Sequence, residues 1–302
     1  MASFNGEKYI AEQINSIICQ SYKNWRLTIY DDCSNDNTTN IIKNYVNKYR
    51  DRIHLSINQK PSGGAKFNFY KLLKDTKAEY VMCCDQDDVW LDDKVYITYE
   101  AMKNAEEKYG NATPILVHTD LKVVDDSLRV INESFYCNED IDPRRNQFSF
   151  LLSNNVVAGC TVMVNKALIE HLKHIPLYSR MHDHWLGLIA AAFGKIVFID
   201  KPTMLYRQHD NNVCGTGINT LSAKIVYFLT NFKNSRNKMK EYYRQAKEFY
   251  NIYNYRLDND QKKLLLSYAD FENKNIIQKC YALKRYRLYK QSFIQIIGQI
   301  IR

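Results

Sequence analysis

The sequence predicts an α/β protein in which a mostly parallel sheet, flanked by helices, is followed by a helical C-terminal region. Strand-like and helix-like segments alternate through the first half of the chain, as in nucleotide-binding sheets. Two short strands, Arg26–Tyr30 and Glu79–Cys84, each run directly into acidic residues. From about Leu221 the strand signals stop, and the chain becomes rich in Lys, Arg, Asn and Tyr.

Apolar periodicity and turn residues define the elements of the first part. Ile10, Ile14 and Ile17 share one face of the first helix, and Ser62-Gly63-Gly64 breaks the chain before the third. Helices are expected at 7–20, 38–49, 67–73, 94–109, 167–173 and 182–193. Strands are expected at 26–30, 53–57, 79–84, 114–118, 121–124, 156–164 and 195–199.

The element order divides the chain into a catalytic domain, 1–218, and a basic helical region, 219–302. A parallel sheet of this kind normally opens with a strand, yet the helix-entry residues Ser3-Phe4-Asn5-Gly6-Glu7 come almost at Met1. We therefore expect either that most of the first strand is truncated or that the sheet tolerates its absence.

Composition excludes several classes of protein. A chain of 302 residues with 45% hydrophobic and 13% aromatic residues is neither disordered nor fibrous. Its eight cysteines form no Cys-x-x-Cys pair, which favours reduced thiols in a cytoplasm over disulfides or a zinc site. No uncharged apolar stretch reaches the length of a membrane span, and the N-terminus lacks a signal-peptide pattern. A cytoplasmic protein, soluble or peripheral to the membrane, is expected.

The sharpest motif is Asp85-Gln86-Asp87-Asp88, directly after a buried strand. Three carboxylates so close together repel one another unless a cation lies between them. Hard oxygen ligands suit Mg²⁺ or Mn²⁺, which keep coordination positions open for substrate phosphates. The alternative is a solvated acidic turn that caps the following helix.

A second acidic turn, Asp31-Asp32-Cys33-Ser34-Asn35-Asp36, directly follows the predicted strand 26–30. Together with 2–10, 20–22, 64–69 and 85–90, in this order and spacing, it resembles the inverting family-2 glycosyltransferases over roughly residues 1–215. The resemblance implies the GT-A fold, a Rossmann-like, mostly parallel sheet flanked by helices. It also implies a hexosyltransferase that uses a nucleotide-sugar donor and Mn²⁺ or Mg²⁺.

The resemblance carries roles over to individual positions. Asp32 would accept from the imino N–H of uracil or thymine, Asp85 would lie near the ribose, and Asp87 would ligate the metal that bridges the diphosphate. Other residues would line the nucleotide-sugar site: Ser3, Phe4, Glu7, Gly64, Lys66 and Gln86.

The same resemblance places the general base at the start of a later helix, where Asp183 stands in Met181-His182-Asp183-His184-Trp185. A helix N-cap is the structural alternative for this aspartate. A C-terminal loop would bring His209 to the metal and Arg207 to the diphosphate. The acceptor side would include Gly159, Cys160 and Trp185, although Trp185 also suits core packing.

Asp-Gln-Asp-Asp-Val-Trp, His-Asp-x-Trp-Leu and Tyr-Arg-Gln-His together look most like the bacterial rhamnosyltransferase-type members that build cell-surface polysaccharides such as capsule and cell wall. This narrower resemblance implies a dTDP-L-rhamnose donor, with UDP-glucose or UDP-galactose as alternatives. The implied acceptor is a lipid-linked or growing surface glycan. A homo-oligomer is compatible with this resemblance.

The basic charge is concentrated in the last quarter of the chain. Residues 221–302 hold 17 basic and 6 acidic side chains, whereas the rest of the chain is slightly acidic. In 281–302, Phe293, Ile296, Ile297 and Ile300 form an apolar stripe, preceded by the cations Lys284, Arg285, Arg287 and Lys290. Such a helix suits an anionic membrane surface. The alternative is a helix docked on the catalytic domain or on a partner subunit.

Three other functions compete with glycosyl transfer. Nucleic-acid binding would use the same Lys, Arg and Tyr chemistry, but an acidic catalytic edge disfavours it, and no nucleic acid is expected. Nucleotidyl transfer also places paired acids on a metal, yet the Asp32 turn and Asp183 favour glycosyl transfer. A catalytically silent scaffold of a polysaccharide assembly complex is the alternative from another class.

Overall fold

The computed structural model describes residues 1–172, 174–209 and 232–301. The domain boundary predicted at 218/219 lies outside these residues. The described part contains two β-sheets with helices packed on them and a C-terminal group of helices.

The first sheet is short and entirely parallel. Its strands lie in the order β1 (Ala2–Ser3), β2 (Leu27–Asp31) and β3 (Ile53–Ile57). Helices α1 (Ile10–Ile18) and α2 (Thr38–Lys48) connect these strands. The predicted isoleucine stripe of α1 is buried in one apolar cluster with β2. Because the strands are parallel, their carboxyl ends share one edge, and the Asp31–Asp36 turn lies there.

The second sheet has six strands and is mixed. In chain order they are β4 (Tyr80–Met82), β5 (Val89–Trp90), β6 (Ile115–Val124), β7 (Val130–Asn132), β8 (Met163–Asn165) and β9 (Lys195–Arg207). The spatial order is β4-β8-β6-β9-β5, with β7 on β6, and only β6 and β9 pair in parallel. The second sheet is thus less parallel than predicted, because β8 runs antiparallel to β4 and β6, and because the chain reverses at the acidic turn between β4 and β5.

Two strand predictions need correction. The segments 114–118 and 121–124 form one strand, β6, with an irregularity at Thr119/Asp120. The predicted strand 156–164 was wrong over most of its length, because Gly159–Thr161 is a 3₁₀ turn and the strand β8 begins only at Met163. The Thr161 hydroxyl donates to the Ala158 carbonyl at 2.7 Å and so supports the turn.

Helices cover the sheets. Those before the C-terminal group are α3 (Ala65–Asp75), α4 (Lys94–Tyr109), α5 (Phe135–Glu139), α6 (Phe148–Ser153), α7 (Lys166–Ile169) and α8 (His182–Phe193). The bounds of α4 and α8 agree with those predicted from the sequence.

The C-terminal helices share a core with the catalytic part. They are α9 (Phe232–Tyr253), α10 (Asn259–Ala269), α11 (Ile276–Tyr286) and α12 (Phe293–Ile301). Asp258 and Asn275 start α10 and α11 with capping boxes. The α9 rings of Phe249 and Tyr253 lie 5.3 and 6.2 Å from Trp185 in α8. Among the described helices, none is long and apolar enough to cross a membrane.

Candidate active site

Gln86 links the acidic turn after β4 to the first loop of the chain. Its Oε1 accepts from the Phe4 N–H at 2.9 Å, and its Nε2 donates to the Phe4 carbonyl at 2.8 Å. Gly6 permits this approach, because a Cβ at that position would lie 2.2 Å from Gln86 Oε1. The two predicted nucleotide-binding residues are thus neighbours, and the Phe4 side chain is exposed.

The first loop is also linked to the turn after β2. The Glu7 carboxylate accepts from the Asn37 N–H at 2.8 Å, and Asp36 accepts from the Glu7 N–H at 3.1 Å. Ser3 is buried, and its hydroxyl donates to Asp31 at 3.0 Å. The Ser3 hydroxyl is therefore bound inside the protein and supports the turn, and the place of Ser3 in the nucleotide-sugar site stays a prediction.

Asp32 lies just beyond β2 and is held by side chains from a neighbouring loop. Its Oδ1 accepts from Asn58 Nδ2 at 2.8 Å and from the Ser62 N–H at 2.7 Å. Its Oδ2 accepts from the Ser62 hydroxyl at 2.8 Å. A carboxylate oxygen with one partner can accept a further hydrogen bond. Oδ2 is therefore the atom of Asp32 that is best suited to a ligand N–H.

A compact acidic cluster lies at the end of β4. The potential ligand atoms of Asp85, Asp88 and Cys160 all lie within 4.8 Å of one another. The Oδ1 of Asp88 accepts from the Arg207 N–H at 3.3 Å, whereas its buried Oδ2 has no hydrogen-bond partner in the described part of the chain. An unpartnered buried carboxylate oxygen is costly, so this cluster fits a bound cation.

The electrostatics of the cluster support the same conclusion. Burial, followed by the neighbouring Asp87 and Asp183 carboxylates, raises the pKa of Asp85 to about 7. Burial and the Asp87 charge raise the pKa of Asp88 well above its ordinary value. A divalent cation would offset both effects. The carboxylates match hard cations, whereas the Cys160 thiol is a soft donor and matches Mg²⁺ or Mn²⁺ poorly.

Asp87 and His209, the two residues predicted to bind the metal, are in contact. His209 Nε2 lies 3.0 Å from Asp87 Oδ2. The imidazole also stacks on Tyr9, with ring centroids 5.1 Å apart. The residue that follows β9 by two positions, His209, therefore contacts both the acidic turn and Tyr9, which precedes α1.

Arg207 has a different position from the one predicted for it. Its side chain is 2% exposed. Nε donates to the Asp87 carbonyl at 2.9 Å and Nη1 to the Asp126 carbonyl at 2.6 Å, while Nη2 pairs with Glu12. Because the guanidinium is committed to protein oxygens, we correct the predicted diphosphate contact to a positioning role that holds the acidic turn.

Asp183 occupies the first turn of α8, as the sequence predicted. It is buried, its Oδ1 accepts from the His184 N–H at 2.6 Å, and its Oδ2 accepts from Asn155 Nδ2 at 3.1 Å. Burial raises the pKa of Asp183 to about 6. The Asp183 charge is one of the causes that raise the pKa of Asp85, so the two carboxylates are close enough to repel each other.

The three residues predicted on the acceptor side have different surroundings. Gly159 packs against α8, where a Cβ would lie 3.1 Å from the His182 ring and 3.3 Å from Asp183 Cβ. Cys160 belongs to the acidic cluster. Trp185 is 0% exposed and packs in the core against α9, so its predicted acceptor contact is corrected to packing.

Gly64 and Lys66 begin α3, and the structure separates their roles. Gly64 has φ 123°, a conformation that favours glycine. The Lys66 ammonium donates to the carbonyls of Leu177 at 3.1 Å and Ser179 at 2.7 Å. The Lys66 charge is thus turned toward the segment that precedes α8, and the nucleotide-sugar contact predicted for Lys66 stays a prediction.

Several site residues were missed by sequence reasoning. Asp88 was visible as the third acid of the motif, and the sequence assigned it no role. Asn58, Ser62 and Asn155 belong to no motif, because amides and hydroxyls in loops are common. Only the folded contacts identify them as partners of Asp32 and Asp183.

Comparison with known proteins agrees with this geometry. The family model for Glycosyl transferase family 2 matches residues 1–172. The chain is 32% identical over 230 residues to the dTDP-rhamnosyl transferase RfbG of Shigella flexneri, with 72% of this chain and 74% of that protein covered. It is 24% identical to the UDP-Glc:alpha-D-GlcNAc-diphosphoundecaprenol beta-1,3-glucosyltransferase WfgD of Escherichia coli, with 81% of each covered.

Solved structures share the fold. TarS of S. aureus in complex with UDP-GlcNAc matches with a TM-score of 0.56 and 18% identity, over 94% of this chain and 78% of that one. The mannosyltransferase PcManGT from Pyrobaculum calidifontis, in complex with GDP-Man and Mn²⁺, matches with a TM-score of 0.55 and 14% identity, over 98% and 76%. The predicted GT-A fold is confirmed.

Proposed function

Because the chain belongs to glycosyl transferase family 2 and is a transferase enzyme, we propose that it moves a sugar from a dTDP- or UDP-sugar to a glycan hydroxyl with inversion. The observation that carries this proposal is the pairing of Asp183 with the acidic turn. The Asp183 carboxylate is buried, has a raised pKa and interacts electrostatically with Asp85. Inverting transfer requires this combination of a base and a diphosphate site in one cleft.

Asp32 is proposed to select the nucleotide base. Uracil and thymine offer an imino N–H to a carboxylate, and cytosine does not. The Oδ2 atom accepts one hydrogen bond within the protein and retains capacity for such a donor. Asn58 and Ser62 hold the carboxylate in place, which lowers the ordering cost on binding.

A divalent cation, Mn²⁺ or Mg²⁺, is proposed at the acidic turn. Asp85, Asp87 and Asp88 would hold it, with His209 beside Asp87. The unpartnered Oδ2 of Asp88 supports this assignment, and PcManGT is described with Mn²⁺. When bound, such a cation would neutralise the negative charge that develops on the departing diphosphate.

Asp183 is proposed as the general base. Its carboxylate would take the proton of the acceptor hydroxyl while the hydroxyl oxygen bonds to the anomeric carbon, and the diphosphate leaves with the electrons of the broken bond. Asn155 orients the carboxylate through Oδ2. Burial raises its basicity, which brings the pKa of Asp183 to about 6, near the range useful at neutral pH.

Rhamnose is the favoured sugar, and a lipid-linked surface glycan is the favoured acceptor. Support for the donor comes from the similarity to a dTDP-rhamnosyl transferase. Support for the acceptor comes from WfgD, whose name gives a diphosphoundecaprenol-linked substrate. UDP-glucose or UDP-galactose is the second donor choice. The proposed location is the cytoplasmic face of the membrane.

The C-terminal helices support peripheral binding to an anionic membrane. Phe293 and Ile277 are 75% and 81% exposed, and Tyr281 on α11 and Ile297 and Ile301 on α12 are exposed too. Exposed cations accompany them at Lys284, Arg285 and Arg287. An exposed apolar and basic surface of this kind suits anionic lipid.

Only part of the apolar stripe predicted to face the membrane is exposed: Phe293 and Ile297 are exposed, whereas the other two residues are not. Ile296 and Ile300 pack partly against the core. The Lys290 ammonium lies 3.8 Å from the Tyr242 ring centroid and donates to the Ser153 carbonyl. Lys290 is therefore removed from the proposed lipid-facing group.

A panel of nucleotide sugars tests the enzymatic proposal, with turnover and binding measured with and without Mn²⁺. Turnover of dTDP-rhamnose with metal and an undecaprenyl-linked acceptor is expected. Asp183→Asn should lower kcat by about 10²–10⁴-fold while donor binding persists. Near-normal turnover by Asp183→Asn would show that the base lies elsewhere.

Vesicle sedimentation tests the membrane proposal. The chain should bind phosphatidylglycerol vesicles more tightly than phosphatidylcholine vesicles. Lys284→Glu with Arg285→Glu should weaken binding, whereas Lys43→Glu with Lys74→Glu, at exposed sites of the catalytic part, should change it much less. An equal loss of vesicle binding in both double variants would show that binding depends only on the net charge of the protein, and would contradict the proposed membrane surface.

A further inference from the structure

A small pocket lies where three elements of the C-terminal group meet: α9, the 3₁₀ turn Phe271–Asn273 and α11. It is lined by Arg236, Met239, Lys240, Tyr243, Glu272 and Lys279. The four residues from α9 recur at a spacing of three and four positions, so they share one face of that helix. None of the described residues that line the pocket belongs to the candidate active site, so the pocket is a separate feature.

Three cations surround a single carboxylate in this pocket. Arg236 Nη2 and Lys240 Nζ lie 3.4 and 2.7 Å from the same oxygen of Glu272, Oε1. The Lys279 ammonium donates to the Ile300 carbonyl at 3.4 Å, and it forms no ion pair with any residue that the structure describes. Positive charge in the pocket therefore exceeds the negative charge that the protein supplies there.

The third cation, Lys279, is also removed from water. The residue is only 7% exposed. Burial, followed by the Arg236 charge, lowers the pKa of Lys279, whereas the Glu272 charge acts in the opposite direction. A buried ammonium group is costly unless an anion offsets its charge. The pocket is therefore electrostatically incomplete and fits a bound anion.

Tyr243 adds a neutral hydrogen-bond donor to the same pocket. Its ring packs against Tyr268 and Phe271, with centroid distances of 5.1 and 5.7 Å. Burial, followed by the Glu272 charge, raises the pKa of Tyr243. The phenol therefore stays protonated, and its hydroxyl can donate to an anionic oxygen.

The pocket borders the surface proposed above to face the membrane. Ile276 is exposed and lies one helical turn before Lys279 on α11. The bond from Lys279 to the Ile300 carbonyl connects the pocket to the last turn of α12, the other helix of that surface. An anion held here would therefore lie beside exposed apolar side chains.

We propose that this pocket binds the phosphate group of an anionic lipid headgroup. Arg236 and Lys240 would donate to the phosphate oxygens from α9, and Lys279 would donate from α11. Guanidinium and ammonium groups make their strongest hydrogen bonds to such charged oxygens. A free phosphate ion offers the same oxygens, but the exposed apolar neighbour favours a phosphate that carries acyl chains. This inference rests on the proposed membrane binding and adds a headgroup site to it.

Calorimetry on the full chain with dihexanoyl phosphatidic acid, kept below its micelle concentration, tests the proposal. Saturable binding is expected. Lys240→Met and Lys279→Met should each weaken it at least about fivefold, because each removes a charged donor to the phosphate. Lys238→Met is the matched control, since Lys238 is exposed on α9 and does not line the pocket. It should leave affinity within about twofold.

Glu272→Gln gives a change in the opposite direction. Removal of the carboxylate that competes for Arg236 and Lys240 should tighten binding about threefold. Equal affinities in Lys240→Met and Lys238→Met would overturn the site, and weaker binding by Glu272→Gln would do the same. Melting temperatures show that each variant is folded, and Lys240→Met tests the site even where Lys279→Met does not fold.

Two further probes separate the phosphate group from its acyl chains. Inorganic phosphate and dihexanoyl phosphatidylcholine should each bind at least about fivefold more weakly than dihexanoyl phosphatidic acid. Equal affinity for inorganic phosphate would overturn the lipid source, and equal affinity for the phosphatidylcholine would overturn the role of the anionic phosphate. Because these lipids are soluble, failure of the pocket is distinguishable from failure of the membrane surface in vesicle sedimentation.

Discussion

Asn155 Nδ2 donates to Asp183 Oδ2 at 3.1 Å, across 28 residues of sequence. Asp183 starts α8, while Asn155 lies in the segment after α6. Burial disfavours the ionised carboxylate and raises the pKa of Asp183 to about 6, whereas this hydrogen bond acts in the opposite direction. The bond therefore bears on both the orientation and the protonation of the proposed base.

The pH dependence of turnover should report this relationship. A base must be unprotonated, so kcat should fall as pH drops through about 6, the pKa of Asp183. Asn155→Leu removes a bond that favours the charged form and should move the midpoint to higher pH. Asn155→Asp, which adds a like charge, should move it further. Measurements at saturating donor and Mn²⁺ keep the acidic turn ionised, and an unchanged midpoint in both variants would contradict the assignment.

Asp88 should contribute to metal affinity. Asp88→Asn removes one negative charge from the cluster formed with Asp85 and should weaken Mn²⁺ binding at least about tenfold. Calorimetry in the presence of UDP measures this. Asp92→Asn, at an exposed site nearby, is the matched control and should leave affinity within about twofold. Equal affinities for both variants would exclude Asp88 as a ligand.

Gly6 and Gln86 should be energetically coupled. Gly6→Ala places a Cβ 2.2 Å from Gln86 Oε1 and should lower the melting temperature and raise the donor KM. In a Gln86→Ala background, the same Gly6→Ala change should cost much less, because the clashing atoms are gone. Additive effects in this double-mutant cycle would show that the loop contact has no energetic role.

Trp185 should be a stability residue. Trp185→Ala should lower the free energy of unfolding by about 3–5 kcal/mol, since it empties a core site against Phe249. Trp185→Phe should lower the free energy of unfolding by less, and it should leave the KM for the acceptor unchanged. A raised acceptor KM with unchanged stability would instead restore the acceptor role that the sequence suggested.

Much of the local structure could be predicted because its causes are local. The bounds of α4 and α8 follow from helical periodicity, and the position of Asp183 at a helix start was recognised from its motif. The 3₁₀ turn at Gly159–Thr161 was missed because an apolar run by itself does not distinguish a buried turn from a strand.

The family, the alternation of elements and the acidic turns at strand ends could be recognised from the sequence, since motif order and periodicity are properties of neighbouring residues. The contacts of each charged or aromatic side chain, in contrast, depend on the fold. Arg207 holds the Asp87 carbonyl, Lys66 turns to Ser179, and Trp185 is buried against α9. These contacts join residues tens or more than a hundred positions apart, and burial at such distances depends on how helices and sheets pack, which no local pattern encodes.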